Sequence, residues 1–225
     1  GGTADGVTKD SALKALEEAN LLTPVAKAFS TDSGIDVASL GIQVHGGMGY
    51  MEETGAAQHY RDARIAAIYE GTNGIQAIDL VTRKIGQGGG KALERTIAGF
   101  RETANRVGVR KEEIFGATAV CLEKAIESLE RASQHMFAAL KEDPQDALAG
   151  ATPYLRLFGL SAGGAYLAEC ALAARKQGGD DAGNPARIAT ARFFAENIAT
   201  EAPSLERKIM IGASSVLGSD IALIA

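Results

Sequence analysis

"CLEKAIESLERASQHMFAAL", residues 121–140, decides the fold class. Cys121, Ala125, Leu129, Ala132, Met136 and Leu140 follow one another at intervals of four or three. That spacing brings side chains to one face of an α-helix, and charged residues fill the positions between. Working outward, the same period recurs and no period-2 alternation of a half-buried strand interrupts it. The expectation is an all-α chain.

Downstream, residues 151–176 read as a helix rich in small residues, among them Gly159, Gly163, Gly164 and Ala168. Each glycine costs a helix roughly 1 kcal/mol against alanine, so the cluster makes sense where another helix packs very close. "GGDDAGNP" reads as a loop, with Asn184 as cap and Pro185 at the first position of a last long helix reaching Thr200. Pro203 breaks that pattern and "ERKIMIGASSVLG" resumes it. Upstream of 121, the helix that holds the opening stretch is expected from about 111 to 141, ended by Pro144 and "KEDPQD", and another from 91 to 107.

Before these comes "GQGGGK", 86–91, the natural break. A phosphate loop needs one more residue of spacing and Ser or Thr after the lysine, so this is read as a turn or linker. It divides the chain into helical blocks of about 1–88 and 91–225. The first block should hold helices from Thr8 or Asp10 to Phe29 (Leu13, Leu16, Ala19 and Leu22 at turn spacing), from Asp36 to His45, and over 52–64. A fourth, capped by Asn73, runs through Ile75, Ile78, Val81 and Ile85.

Composition bounds the function. The 225 residues are 46% hydrophobic and 23% charged, enough for a sizeable core. Net charge is -5 with pI near 5.3, and no Lys/Arg run reaches four residues, which argues against nucleic acid and anionic membranes as partners. Residues 1–90 carry 7 basic against 11 acidic groups, and the remainder 16 against 17, so neither block is a charged tail. Cys121 and Cys170 sit in separate helical stretches, which reads as two buried thiols in a reducing, cytoplasmic compartment. His45, His59 and His135 have no metal spacing, so no metal is expected. The longest charge-free apolar stretch, 157–168, ends at Glu169 and is too short to span a bilayer. The first residues lack an initiator Met and any cap before Thr8, so the expectation is a chain that begins inside a longer protein.

One short stretch carries chemistry: "IAAIYEGTNGIQ", residues 65–76. Glu70 is the only charge between Arg64 and Asp79. Flanked by Ile65, Ala66, Ala67, Ile68 and Ile75, its carboxylate is expected to be desolvated, which favours the protonated form and suits a general base near neutrality. Gly71 removes the side chain beside it, so a planar ligand can approach closely. A helix beginning at Asn73 would add free N–H groups and the positive dipole end near a phosphate or an oxyanion. The alternative is a glutamate exposed at a helix N-terminus, which is common.

"QVHGGMGY" (43–50), "YRDARIAAIYEGTNGIQ" (60–76) and "TRKI" (82–85) occur in an order and spacing that resemble the C-terminal helical domain of the FAD-dependent acyl-CoA dehydrogenases. Residues from about 91 onward resemble the extra helical domain of some larger bacterial members. The resemblance implies α,β-dehydrogenation of an acyl-CoA thioester to the enoyl-CoA, with FAD as cofactor. Glu70 would take the α-proton while the β-hydrogen leaves as hydride to the flavin. A backbone N–H at the glutamate and a ribityl hydroxyl would bind the thioester oxygen. It also implies that Gln43, Gly46 and Gly47 meet the adenosine and pyrophosphate, often across a subunit boundary, that Thr72 contacts the flavin side, and that Tyr69 and Gly71 meet substrate. Gly74 departs from members that carry Gln, and Arg61 and Asp62, read as a surface pair, receive no role. Electron-transferring flavoprotein would be the acceptor, in a homo-oligomer. The competing reading is a non-catalytic helical module for oligomerisation or partner docking.

Overall fold

The computed structural model describes residues 8–177 and 183–218. Among them every regular element is helical, as the period of 121–140 requires.

The first helix, α1 (Lys9–Val44), opens with the Thr8 hydroxyl accepting from Ser11 N at 3.2 Å. At 36 residues it is ~54 Å long. Two shorter helices were expected here. The polar stretch Ser30–Gly34 continues the helix because it is bound from outside. Asn73 Nδ2 donates to Thr31 Oγ1 at 2.9 Å and to Asp32 at 2.7 Å. Tertiary bonds override the weak local propensity. The face read from Leu13 and Leu16 is exposed, and burial begins at Leu21, Pro24, Val25 and Ala28.

After α2 (Gly47–Tyr50), the expected 52–64 helix splits into a 3-10 turn, Glu52–Thr54, and α3 (Ala56–Ala66). Arg61 pairs with Glu52 at 3.4 Å rather than with Asp62. Then α4 (Asn73–Asp79) runs into a π-helical turn, Leu80–Lys84. "GQGGGK" forms a 3-10 turn with Gly88, Gly89 and Gly90 all at positive φ.

The second block comprises α5 (Lys91–Gly108), α6 (Thr118–Glu142), α7 (Pro144–Ala149), α8 (Ala151–Gln177), α9 (Gly183–Phe193), α10 (Ala202–Met210) and α11 (Ser214–Leu217). Residues 111–117 lie outside α6; they hold a 3-10 turn, Glu113–Phe115, before the helix starts at Thr118. The expected last long helix is α9 followed by a π-helical turn, Phe194–Ile198, and a 3-10 turn, Ala199–Glu201, with Pro203 in the first turn of α10. Asn184 is buried inside α9, and residues 178–182 of the expected loop lie outside the described residues.

The centre is α8. It packs on α5, α6, α9 and α10 and also on α1 and α4. Tyr154, Leu157, Phe158, Leu160 and Ala168 are fully buried, and apolar residues on every side are what a core helix shows. By length and composition α8 could cross a membrane, but 67% of its apolar window is buried inside the fold. Phe158 stands edge-on between Phe100 and Tyr154, both at 6.3 Å between ring centroids. The Tyr154 hydroxyl shares a 2.8 Å hydrogen bond with Ser133, and its burial pushes the phenol well above its ordinary value.

The glycines of α8 are where other elements come closest. A Cβ on Gly159 would collide with the Phe29 side chain of α1, and one on Gly164 would strike Leu122 of α6. The core is therefore continuous: Leu21, Val25, Ala77, Leu80 and Ile85 join one cluster with Leu93, Phe100 and Phe158. An ion pair between Arg95 and Glu17, 2.6 Å, closes the same seam. The thiols are less hidden than expected: Cys121 is half-buried and Cys170 is exposed, because α8 turns that side of its last turns to solvent.

Candidate functional site

Glu70 lies on the turn between α3 and α4. Its φ is +53°, a left-handed backbone that non-glycine residues seldom adopt, and Gly71 follows at +87°. At Gly71 only glycine adopts this without strain. Each turned carbonyl has a partner. Gln76 Nε2 donates to the Glu70 carbonyl at 3.0 Å, and Lys27 Nζ donates to the Gly71 carbonyl at 2.9 Å. Thr72, not Asn73, caps α4: its hydroxyl accepts from Ile75 N at 3.4 Å.

Asn73 is instead the first helical residue, and its side chain is a bridge. Its Oδ1 accepts from Lys27 at 2.8 Å, and its Nδ2 donates to the Ala28 carbonyl, Thr31 and Asp32 at 3.2, 2.9 and 2.7 Å. Lys27 also stands 5.8 Å from the centre of the Tyr69 ring.

The carboxylate itself is exposed, and among the described residues none donates to it or pairs with it. The expected desolvation is absent from this chain's own fold. The apolar residues that were to supply it, Ile65, Ile68 and Ile75, are 58%, 48% and 55% exposed, and Tyr69 is 52% exposed. They form a rim around the turn, not a pocket wall closed over it. Two clefts of about 530 Å³ lie elsewhere. One is lined by Asp32, Asn73, Arg156 and Lys208 at the seam of α1, α4, α8 and α10, and the other by Glu112, Gly116 and Arg192.

Gln43, Gly46 and Gly47 sit at the far end of α1. Sixteen residues separate Gln43 from Lys27, so this set is ~24 Å along the helix from the Glu70 turn. The structure brings Tyr69, Glu70, Gly71 and Thr72 together and leaves Gln43, Gly46 and Gly47 apart. As a wall for a dinucleotide the second set fits. Gly46 has φ +60°, and a Cβ on Gly46 or Gly47 would meet nothing within 4 Å, so that backbone is open to a ligand.

Reading the sequence missed Lys27 and the bridging role of Asn73. A signal was available: Lys27 is the only charged residue between Glu18 and Asp32, a lone cation on a largely apolar stretch.

The positive-φ glutamate and the open diglycine that follows α1 both lie in the first helical block. Residues 10–85 match the family described as "Acyl-CoA dehydrogenase, C-terminal domain", and residues 91–220 match "Acetyl-CoA dehydrogenase C-terminal like". The chain belongs to the acyl-CoA dehydrogenase family and corresponds to the C-terminal helical regions of its members. It is 38% identical over 219 residues to 3-methylmercaptopropionyl-CoA dehydrogenase of Ruegeria pomeroyi, covering 95% of this chain and 37% of that protein. Over 54 residues, 24% of this chain and 13% of the relative, it is 46% identical to human short-chain specific acyl-CoA dehydrogenase, mitochondrial. The fold is similar to that of Caenorhabditis elegans ACDH-11, solved in complex with C11-CoA. There the TM-score is 0.67 at 21% identity, over 92% of this chain and 35% of that one. The chain thus spans about a third of these longer relatives.

Proposed function

We propose that the protein carrying this chain dehydrogenates acyl-CoA thioesters between Cα and Cβ, with Glu70 as the base that removes the α-proton. The observation that carries this is a carboxylate that has no partner among the described residues, fixed on a left-handed turn and flanked by exposed apolar side chains. A base needs a free lone pair, and a thioester tail needs apolar contact; both are presented on one turn. Tyr69 and Gly71 meet the substrate. Covering the side chains of Ile65, Ile68, Tyr69 and Ile75 would expel water from around the carboxylate.

FAD, when bound, supplies the acceptor for the β-hydrogen as hydride. On this chain Thr72 would hold the flavin side, and Gln43, Gly46 and Gly47 would hold the adenosine and pyrophosphate. The distance between the two sets along α1 favours a cofactor shared between copies in a homo-oligomer. Electron-transferring flavoprotein is the proposed acceptor beyond the flavin. The exposed apolar side chains of residues 37–78 support a surface that other parts of the same assembly cover. The half-buried and exposed free thiols support a reducing, cytoplasmic setting.

The test is anaerobic flavin bleaching by butyryl-CoA and decanoyl-CoA in the whole protein. Glu70→Gln keeps size and removes the proton acceptor. The reduction rate should fall by roughly 10²–10⁴-fold with flavin content unchanged. A rate within a few-fold of wild type would show that another group is the base.

A further inference from the structure

We propose that Lys27 is the positioning residue of this site: its ammonium holds the Gly71 carbonyl and the Asn73 side chain, and so fixes the turn that aims the Glu70 carboxylate. The proposal rests on the reading of Glu70 as base.

The turn needs to be held. A non-glycine residue in the left-handed region is strained, and it persists only where its surroundings over-determine it. Glu70 and Gly71 are left-handed in succession, at +53° and +87°. Such a pair turns both carbonyls out of any helical ladder. Gln76 takes the first, at 3.0 Å, from the same short segment and moves with it. The second is taken by Lys27, 44 residues away on α1, at 2.9 Å. Lys27 therefore ties the left-handed pair itself to α1, through the Gly71 carbonyl.

The rest of the contact set points the same way. Lys27 is half-buried, and its charge is met by the Gly71 carbonyl, Asn73 Oδ1 and the face of Tyr69. Asn73 returns to α1 through Ala28, Thr31 and Asp32, so the loop is pinned at Asn73 as well as at the Gly71 carbonyl. Loss of Lys27 leaves the Gly71 carbonyl without a donor at the one position where glycine can rotate freely. The carboxylate would then sample several directions. Misplacement by about 1 Å can cost on the order of 10²-fold in rate.

A merely structural lysine would lower stability and flavin occupancy and leave the rate per bound flavin unchanged. A positioning lysine lowers that rate itself. The experiment uses the whole protein with FAD bound and compares wild type, Lys27→Met, Lys27→Arg and Glu70→Gln. It measures flavin reduction per bound flavin at saturating butyryl-CoA or decanoyl-CoA, and exchange of the thioester α-hydrogen with D2O.

Lys27→Met should lower both rates on the order of 10²-fold, with the half-saturating thioester concentration changed less than about threefold. Lys27→Arg, which keeps the charge and the donors, should recover much of the loss. If Lys27→Met fails to retain flavin, Lys27→Gln is judged by the same normalised rates. Rates per flavin within about threefold of wild type, beside an inactive Glu70→Gln, would overturn the role of Lys27 alone. An active Glu70→Gln would remove the base reading, and the role of Lys27 with it.

Discussion

Among the described residues, 8–85 bury five apolar side chains larger than alanine and leave fourteen such chains exposed, whereas 91–218 bury eighteen and expose nine. The second region closes on itself around α8. The first lays α1 and α4 against that bundle along one edge, packs α3 on α1, and turns its other apolar side chains outward. Large exposed apolar side chains in such number are expected of a binding or assembly surface, and Ile65, Ile68, Tyr69 and Ile75 beside Glu70 are among them. The two regions thus divide the work. The one that holds the fold together carries no residue of the candidate site, and the one that carries the site draws much of its support from contacts with α5 and α8.

That contrast can be broken most directly by Glu70→Gln. Its effect of roughly 10²–10⁴-fold should fall on flavin reduction, with the thermal midpoint of the protein unmoved. A matching loss of stability would mean that the first region is structural after all. Phe158→Ala is the converse. It empties the ring contacts with Phe100 and Tyr154 in a fully buried site and should cost about 3–5 kcal/mol by denaturant titration. The rate per bound flavin should survive in whatever fraction stays folded.

Gly159→Ala probes the seam. The added methyl collides with Phe29, so about 1–3 kcal/mol of overpacking is expected. Hydrogen exchange should rise first around Phe29 on α1, and exchange confined to α8 would show that the regions are independent.

The smallest effect is electrostatic and belongs to the second region. Arg131 holds the Glu206 carboxyl below its ordinary value of 4.5 through contacts at 2.6 and 2.9 Å. Because the folded-state value is the lower one, this stabilisation is fully present above about pH 4.5 and is lost as pH falls through the folded value. Arg131→Met should therefore flatten the acid side of the stability profile and lower stability at neutral pH by the same small amount, about 1 kcal/mol or less for a partly exposed pair. An unaltered acid limb would assign that limb to other carboxylates.

Much of this architecture was legible in the residues. The spacing in 121–140 foretold α6 to within a few residues at its C-terminal end, because helical period is a local property. The glycines of α8 announced a close neighbour without saying which; that it is Phe29 from the other region depends on folding. Two elements misled. Ser30–Gly34 reads as an interruption, yet it is helical because Asn73 binds it from 41 residues away. Asn73 reads as a cap, yet Thr72 performs that task and frees the amide for α1.

The candidate site divides the same way. The sequence by itself determined that a lone carboxylate precedes glycine on an apolar stretch, that a diglycine stops the helix before it, and that the regular elements are helices. These are facts of residue type and spacing. Only the tertiary structure decided that α1 is one helix, that Glu70 stands in solvent on a left-handed turn, and that Lys27 reaches across 44 residues to hold it. Burial, backbone strain and the direction of a side chain arise from groups distant in sequence that meet only when the bundle closes, so no local pattern encodes them.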